Sequence, residues 1–217
     1  MDPLFHDRVD AGAALAKRLW TSRGSDALVL GIPRGGVLVA AELARALDLE
    51  LDIVVARKLG APGSPELAIG AVTADGGCFL NRDIVAQLGV TDAHLRSIHE
   101  VEMAEARRRE TALRQNRARA RIRDRIVFLV DDGLATGATM RAAVRAVREG
   151  GPSRLIVAVP VGSRNACADL AAEADEVICL YQPEGFGAVG YYYRHFEPVG
   201  DDQVRHLLEG ARVTAVP

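Results

Sequence analysis

The chain has 217 residues, 49% of them hydrophobic and 26% charged, and Lys+Arg 27 against Asp+Glu 29 leave a formal net charge of -2. One globular domain with a sizeable core fits that length, and the near-neutral balance offers no electrostatic case for a nucleic-acid binder. Cys78, Cys167 and Cys179, with no C-x-x-C pair, exclude a disulfide scaffold and a thiolate zinc site, and no apolar run is long enough for a membrane helix.

The opening segment carries Asp2, His6, Asp7, Arg8 and Asp10 where a secretory signal needs its apolar core, so a cytoplasmic protein is expected. Downstream, the apolar runs Ala27 to Ile32, Leu51 to Ala56, Ile126 to Val130, Leu155 to Val159 and Val177 to Leu180 are strand-sized. Each is nearly continuous, as in strands covered on both faces. Helical patterns lie at Gly36 to Leu47, Thr139 to Arg148 and Ser163 to Ala172, with Gly150-Gly151-Pro152 as a stop and Ser163 as a start. This alternation predicts an α/β fold: a doubly wound, mainly parallel sheet with flanking helices.

The stretch 60–125 breaks the rhythm and reads as an insertion, not a second domain. Short strands are expected at Ala68 to Val72 and Cys78 to Leu80 around the Asp75-Gly76-Gly77 turn, with residues 60–80 a candidate lid. A long charged helix follows from Thr91, where Glu105 with Arg109 and Glu110 with Arg114 stand four apart. Residues 1–217 are thus expected to form one domain, with 181–217 as a C-terminal hood or tail.

Four of the strand-sized runs end in polar, glycine-rich residues. Ile32 leads into Pro33-Arg34-Gly35-Gly36, Ala56 into Arg57-Lys58-Leu59-Gly60, Val130 into Asp131-Asp132-Gly133, and Val159 into Pro160-Val161-Gly162. In a parallel sheet such ends converge on one cleft. The most specific continues Asp131-Asp132-Gly133-Leu134-Ala135-Thr136-Gly137-Ala138-Thr139. Backbone N–H groups around Thr136 to Thr139, two hydroxyls and the positive end of the next helix make a phosphate socket, and Gly133 and Gly137 let the chain turn tightly. Two carboxylates would repel a phosphate set against them, so their natural partners are hydroxyls or a metal. A ribose 5-phosphate satisfies both halves, its vicinal diol on Asp131 and Asp132 and its phosphate in the loop.

The run Val127 to Met140 resembles the signature of the type I phosphoribosyltransferases, and Val55 to Val72 looks like a branch of that family. The resemblance implies transfer of the 5-phosphoribosyl group from 5-phosphoribosyl 1-diphosphate (PRPP) to a nitrogenous base or related nucleophile, releasing pyrophosphate. Mg2+ is the implied cofactor, carried on the substrate's pyrophosphate with Asp131 and Asp132 as candidate contacts. Asp131, Asp132, Arg34 and Lys58 become the candidate catalytic residues. The donor is then held by Gly35, Gly36, Arg57, Gly133, Leu134, Ala135, Thr136, Gly137, Ala138 and Thr139, with a cis peptide from Pro33 to Arg34. Phe186, Val189 and Tyr191 resemble a Phe-x-Val-Gly-Tyr acceptor stretch, although Gly187-Ala188 stands where that pattern has one residue. A homodimer is expected. A non-catalytic sensor of PRPP or a nucleotide would use the same pocket.

Other motifs are weaker. Gly31 to Gly36 lacks the Gly-x-Gly-x-x-Gly spacing, and neither a Walker A loop nor a Gly-x-Ser-x-Gly elbow is present. His99-Glu100 has Met103 where a zinc helix needs its second histidine; His195 reads as a surface residue, and Cys167 and Cys179 as core. The nine arginines from Arg107 to Arg125 read as a solvated helix or subunit contact, since no aromatic residue interleaves them to stack on bases.

Overall fold

The computed structural model describes residues 3–211; residues 1, 2 and 212–217 of the expected domain and tail lie outside the described residues. In chain order, α1 (Arg8–Arg18) precedes β1 (Leu28–Gly31), α2 (Gly35–Leu47) and β2 (Glu50–Ile53). Then come β3 (Ala56–Ala61), β4 (Ser64–Thr73), β5 (Cys78–Leu80), α3 (Arg82–Gln87) and α4 (Asp92–Arg114). The chain continues through β6 (Ile126–Val130), α5 (Ala138–Glu149), β7 (Arg154–Val161), α6 (Arg164–Ala171), β8 (Glu176–Tyr181) and α7 (Asp201–Glu209).

Five strands form a parallel sheet in the order β2-β1-β6-β7-β8. Its near-continuous apolar runs are explained by burial on both faces. Val29, Leu51, Phe128 and Val130 join a core with α1, α2 and α7, while their neighbours Leu28, Val127, Leu129 and Val157 join one with α5 and α6. The expected doubly wound fold is therefore present.

One expected strand is divided. The run Leu51 to Ala56 pairs only to Ile53, after which Ala56 opens β3 of a second, antiparallel sheet ordered β3-β4-β5. Val54 and Val55 are buried although they belong to neither strand, so apolar character alone hides the crossover. This small sheet rests on α5. The Arg141 guanidinium lies 4.0 Å from the Phe79 ring centre, and a Cβ at Gly77 would come within 2.5 Å of that of Ala146. From the other side, Leu95, Ile98 and Met103 of α4 pack against Leu59, Ile69 and Val72. The expectation of a lid over 60–80 is thereby narrowed: Ile69, Ala71, Val72 and Phe79 are already packed, and exposed residues are found at the hairpin tip 62–64, at Leu67 and at the turn residues Asp75 and Gly76.

Part of the arginine-rich stretch takes a role the sequence did not announce. After α4, residues 115–125 run without regular structure along β2, the edge strand of the parallel sheet. Arg117 donates to the Leu51 carbonyl at 2.5 Å and the Ala120 N–H to Asp52 Oδ2 at 2.7 Å. Arg114 pairs with Asp52 at 2.6 Å and Arg125 with Glu50 at 2.6 Å, all four side chains being buried. Arg114, Arg117 and Arg125 thus form a strap along an open sheet edge, while Arg107, Arg108, Arg119, Arg121 and Arg123 stay exposed, as the solvated reading expected. On α4 itself Glu110 pairs with Arg114 as expected, but Glu105 pairs with Arg108, leaving Arg109 to approach Asp201.

Candidate active site

Strands β1 and β6 are neighbours, yet the chain leaves them in opposite directions: α2 returns toward β2 and α5 toward β7. That reversal opens a crevice beyond Gly31 and Val130, where a doubly wound sheet binds its ligands. The Pro33–Arg34 peptide is cis, as the resemblance implies. The following glycines fit tightly against the acidic pair. A Cβ at Gly35 would overlap Asp132 Oδ2, and one at Gly36 would lie 2.8 Å from the Asp131 Cα. Only a bare backbone lets the two loops meet this closely.

The second loop is anchored to the end of β7. Leu134 N–H donates to the Val161 carbonyl at 2.9 Å, Ser163 N–H to the Leu134 carbonyl at 2.8 Å, and the Ser163 hydroxyl to the Ala135 carbonyl at 2.7 Å. Gly137, at φ 77°, then turns the chain into α5. Helices α1, α3, α4 and α6 are capped by the side chains of Asp7, Asn81, Thr91 and Ser163. By contrast α2 and α5 carry no side-chain cap. Their first-turn N–H groups, with the partial positive charge of the helix start, are left for an anion at each loop.

Between the loops stand the two acids. Asp131 Oδ1 accepts from the Asp132 N–H at 2.8 Å, and Asp132 Oδ2 accepts from Arg8 Nε at 2.8 Å. Asp131 Oδ2 and Asp132 Oδ1 accept no hydrogen bond from the described residues. Burial and the neighbouring Asp132 carboxylate hold the Asp131 carboxyl well above the usual range. Burial also raises Asp132, opposed by Arg8. Arg8 itself is buried, donates to the Glu197 carbonyl at 3.0 Å and lies 3.8 Å from the Phe196 ring centre. The Tyr193 hydroxyl donates to the Asp132 carbonyl at 2.6 Å, and burial with the nearby acids raises its pKa, keeping it a donor. Arg8 and Tyr193 carry no motif; the readable trace is Asp7, whose carboxylate caps α1 and so fixes where Arg8 begins.

The remaining candidates are placed less uniformly. Arg34 stands at the start of α2, 3.8 Å from Asp201. Arg57 and Lys58 do not follow the second parallel strand; they lie within β3, and Arg57 is bound by Glu102 of α4 at 2.8 Å. In the tail, a Cβ at Gly133 would come within 2.5 Å of Val189, so Val189 closes on the acidic loop. Phe186 stacks on Tyr192 at 5.2 Å, while Tyr191 is 73% exposed. His195 is exposed and Cys167 buried, as expected, whereas Cys179 is only half-buried. All three cysteines are free thiols, and no helix among the described residues is long and apolar enough to cross a membrane.

Comparison with known proteins agrees with this geometry. The model of the phosphoribosyl transferase domain matches residues 5–194. A Mycobacterium tuberculosis (strain H37Rv) protein carrying a provisional phosphoribosyl transferase name is 44% identical over 208 residues, covering 96% of this chain and 47% of that protein. The chain thus spans about half the length of that relative. The crystal structure of TT1426 from Thermus thermophilus superposes with a TM-score of 0.81 at 44% identity, covering 96% of this chain and 99% of that one. A Neisseria gonorrhoeae protein solved with bound ppGpp shares the fold, with a TM-score of 0.53 at 15% identity over 98% of this chain and 99% of that one. With its acidic pair set between two anion-ready loops at the sheet's switch point, the chain belongs to the phosphoribosyl transferase domain family.

Proposed function

We propose that the protein transfers the 5-phosphoribosyl group of PRPP to a nitrogenous acceptor and releases pyrophosphate. The observation that carries this reading is the pair of uncapped helix starts, α2 and α5, flanking Asp131 and Asp132. A ligand matching them must bear an anionic group at each end and hydroxyls between, which describes a phosphorylated pentose diphosphate. The 5-phosphate belongs in the loop Gly133 to Thr139, and the diphosphate against Gly35, Gly36 and Arg34. The 2- and 3-hydroxyls donate to Asp131 Oδ2 and Asp132 Oδ1.

As the bond from C1 to the diphosphate breaks, the ribose becomes oxocarbenium-like, and the carboxylates beneath it stabilise that charge. Arg34, with Arg57 and Lys58 from β3, offsets charge on the leaving group. No group of three or more His, Cys, Asp or Glu gathers as a metal cage among the described residues. Asp131 and Asp132 would be the residues to hold a Mg2+ that needs only one or two protein carboxylates beside substrate oxygens. Bound there, Mg2+ would supply further neutralisation of the leaving diphosphate. The hairpin tip at 62–64 is the candidate lid, and Phe186, Val189 and Tyr191 the candidate acceptor wall, where Tyr191 offers an open ring face. A homodimer in the cytoplasm completes the proposal, in keeping with the free thiols.

The test is pyrophosphate release from PRPP, Mg2+ and a panel of nitrogenous bases. Asp131→Asn combined with Asp132→Asn should cut turnover by about two to three orders of magnitude. Equal rates in variant and parent would overturn the assignment, and saturable PRPP binding with no release from any base would identify a sensor instead.

A further inference from the structure

A cavity of about 520 Å3 lies between β3 and α4, lined among others by Arg57, Lys58, His94, Glu102 and Arg109. Its charged lining is net positive even with His94 neutral, and the Glu102 carboxylate is already committed to Arg57. Two nitrogens on this lining, His94 Nε2 and Arg109 Nε, are buried without a hydrogen-bond partner. A third buried atom in the same condition is Asp201 Oδ1, which lies 3.5 Å from Arg109 Nη2 and 3.8 Å from Arg34 Nη1. It thus pairs loosely with both guanidinium groups and hydrogen-bonds neither. Unmet buried polar groups are costly, and Arg109 Nε and Asp201 Oδ1 meet at one junction, which points to a missing partner there; His94 stands about 22 Å further along α4.

We infer that this junction is the outer half of the diphosphate site, and that Arg109 of the inserted helix is a diphosphate-binding residue alongside Arg34. The inference rests on the phosphoribosyl-transfer reading above. One carboxylate oxygen already reaches Arg34 and Arg109 together, so a diphosphate, longer and more highly charged, can bridge them with real hydrogen bonds. In this role Asp201 is a resident counter-anion. It holds the two cations in place before substrate arrives and competes weakly with the ligand. The insertion is thereby part of the substrate site, although the phosphoribosyl motif itself lies on other elements.

Titration calorimetry with Mg2+-pyrophosphate and, separately, with ribose 5-phosphate tests this. Arg109→Gln should weaken pyrophosphate binding by about 30-fold or more while ribose 5-phosphate stays within about twofold of the parent. Asp201→Asn should tighten pyrophosphate binding, an effect that a folding defect cannot imitate. Arg108→Gln, one position along and paired on the surface with Glu105, should change neither. Unchanged pyrophosphate affinity in both Arg109→Gln and Asp201→Asn would overturn the inference, as would equal weakening of both ligands by Arg109→Gln. Those outcomes leave the phosphoribosyl-transfer reading standing, whereas a parent protein that takes up no pyrophosphate, or neither ligand, would overturn that reading together with this inference.

Discussion

Asp131 is held at an energetic disadvantage that Arg8 relieves only in part. Because burial raises the Asp131 carboxyl above its unfolded value, the folded chain binds a proton more tightly than the unfolded one. Stability from this group therefore falls as pH climbs from the ordinary aspartate range through the raised folded value. Asp131→Asn removes the titration, so its melting temperature at pH 7 should exceed the parent's while transfer activity is lost; an unchanged or lower value would refute the assigned burial cost. Arg8 acts in the opposite sense, favouring the ionised pair. Arg8→Gln should move the acid limb of the kcat/KM profile to higher pH, and a limb that stays in place would show that Arg8 is only a packing residue. At this scale Asp131, Asp132, Gly35 and Gly36 were legible because their residue types sit side by side in the chain. Arg8 was not, since its partner lies 124 positions away.

Among the elements, the helix starts divide by purpose. Those of α1, α3, α4 and α6 are closed by their own side chains, and those of α2 and α5 are left open toward the crevice. A cap contributes about 1 kcal/mol, so each open start gives up stability that a bound anion restores. Close fit adds a steric condition. A methyl at Gly36 would press on the backbone of Asp131 and the Val130 carbonyl. Gly36→Ala should cost about 1–3 kcal/mol in denaturant unfolding and abolish PRPP uptake; an undiminished affinity would show that the loops need not touch. Most parallel strands and their helices were readable from continuous apolar runs and the 3.6 period. The break after Ile53 was not, because Val54 and Val55 stay buried between two sheets. The run of arginines was legible only in part for a related reason: sequence displays nine cations, five of which stay exposed, but not the carboxylates and carbonyls on β2 and its surroundings that hold Arg114, Arg117 and Arg125.

For the molecule as a whole, that strap ties the insertion to the parallel sheet. Arg114 joins Asp52 and Glu110 in one buried cluster and also donates to the Ile53 carbonyl at 2.8 Å. Arg114→Leu should cost about 3–5 kcal/mol, because it strands buried acids, while the double change with Asp52→Leu should recover part of that loss. No recovery in chemical denaturation would place the stabilisation elsewhere. The overall α/β architecture was legible from alternation alone; the seat of the small sheet on α5 was not, since it depends on contacts such as Phe79 beneath Arg141.

The grip on Asp132 has a consequence in time. It joins residue 8 to residue 132 and residue 132 to residue 193, contacts made only after long stretches of chain have closed. A partly assembled molecule can hold its central strands and both loops in place while its acids still lack their compensating cation. Competence to capture a sugar diphosphate would then arrive as a late event, after the core has formed, when segments on either side of it come together over the same carboxylate.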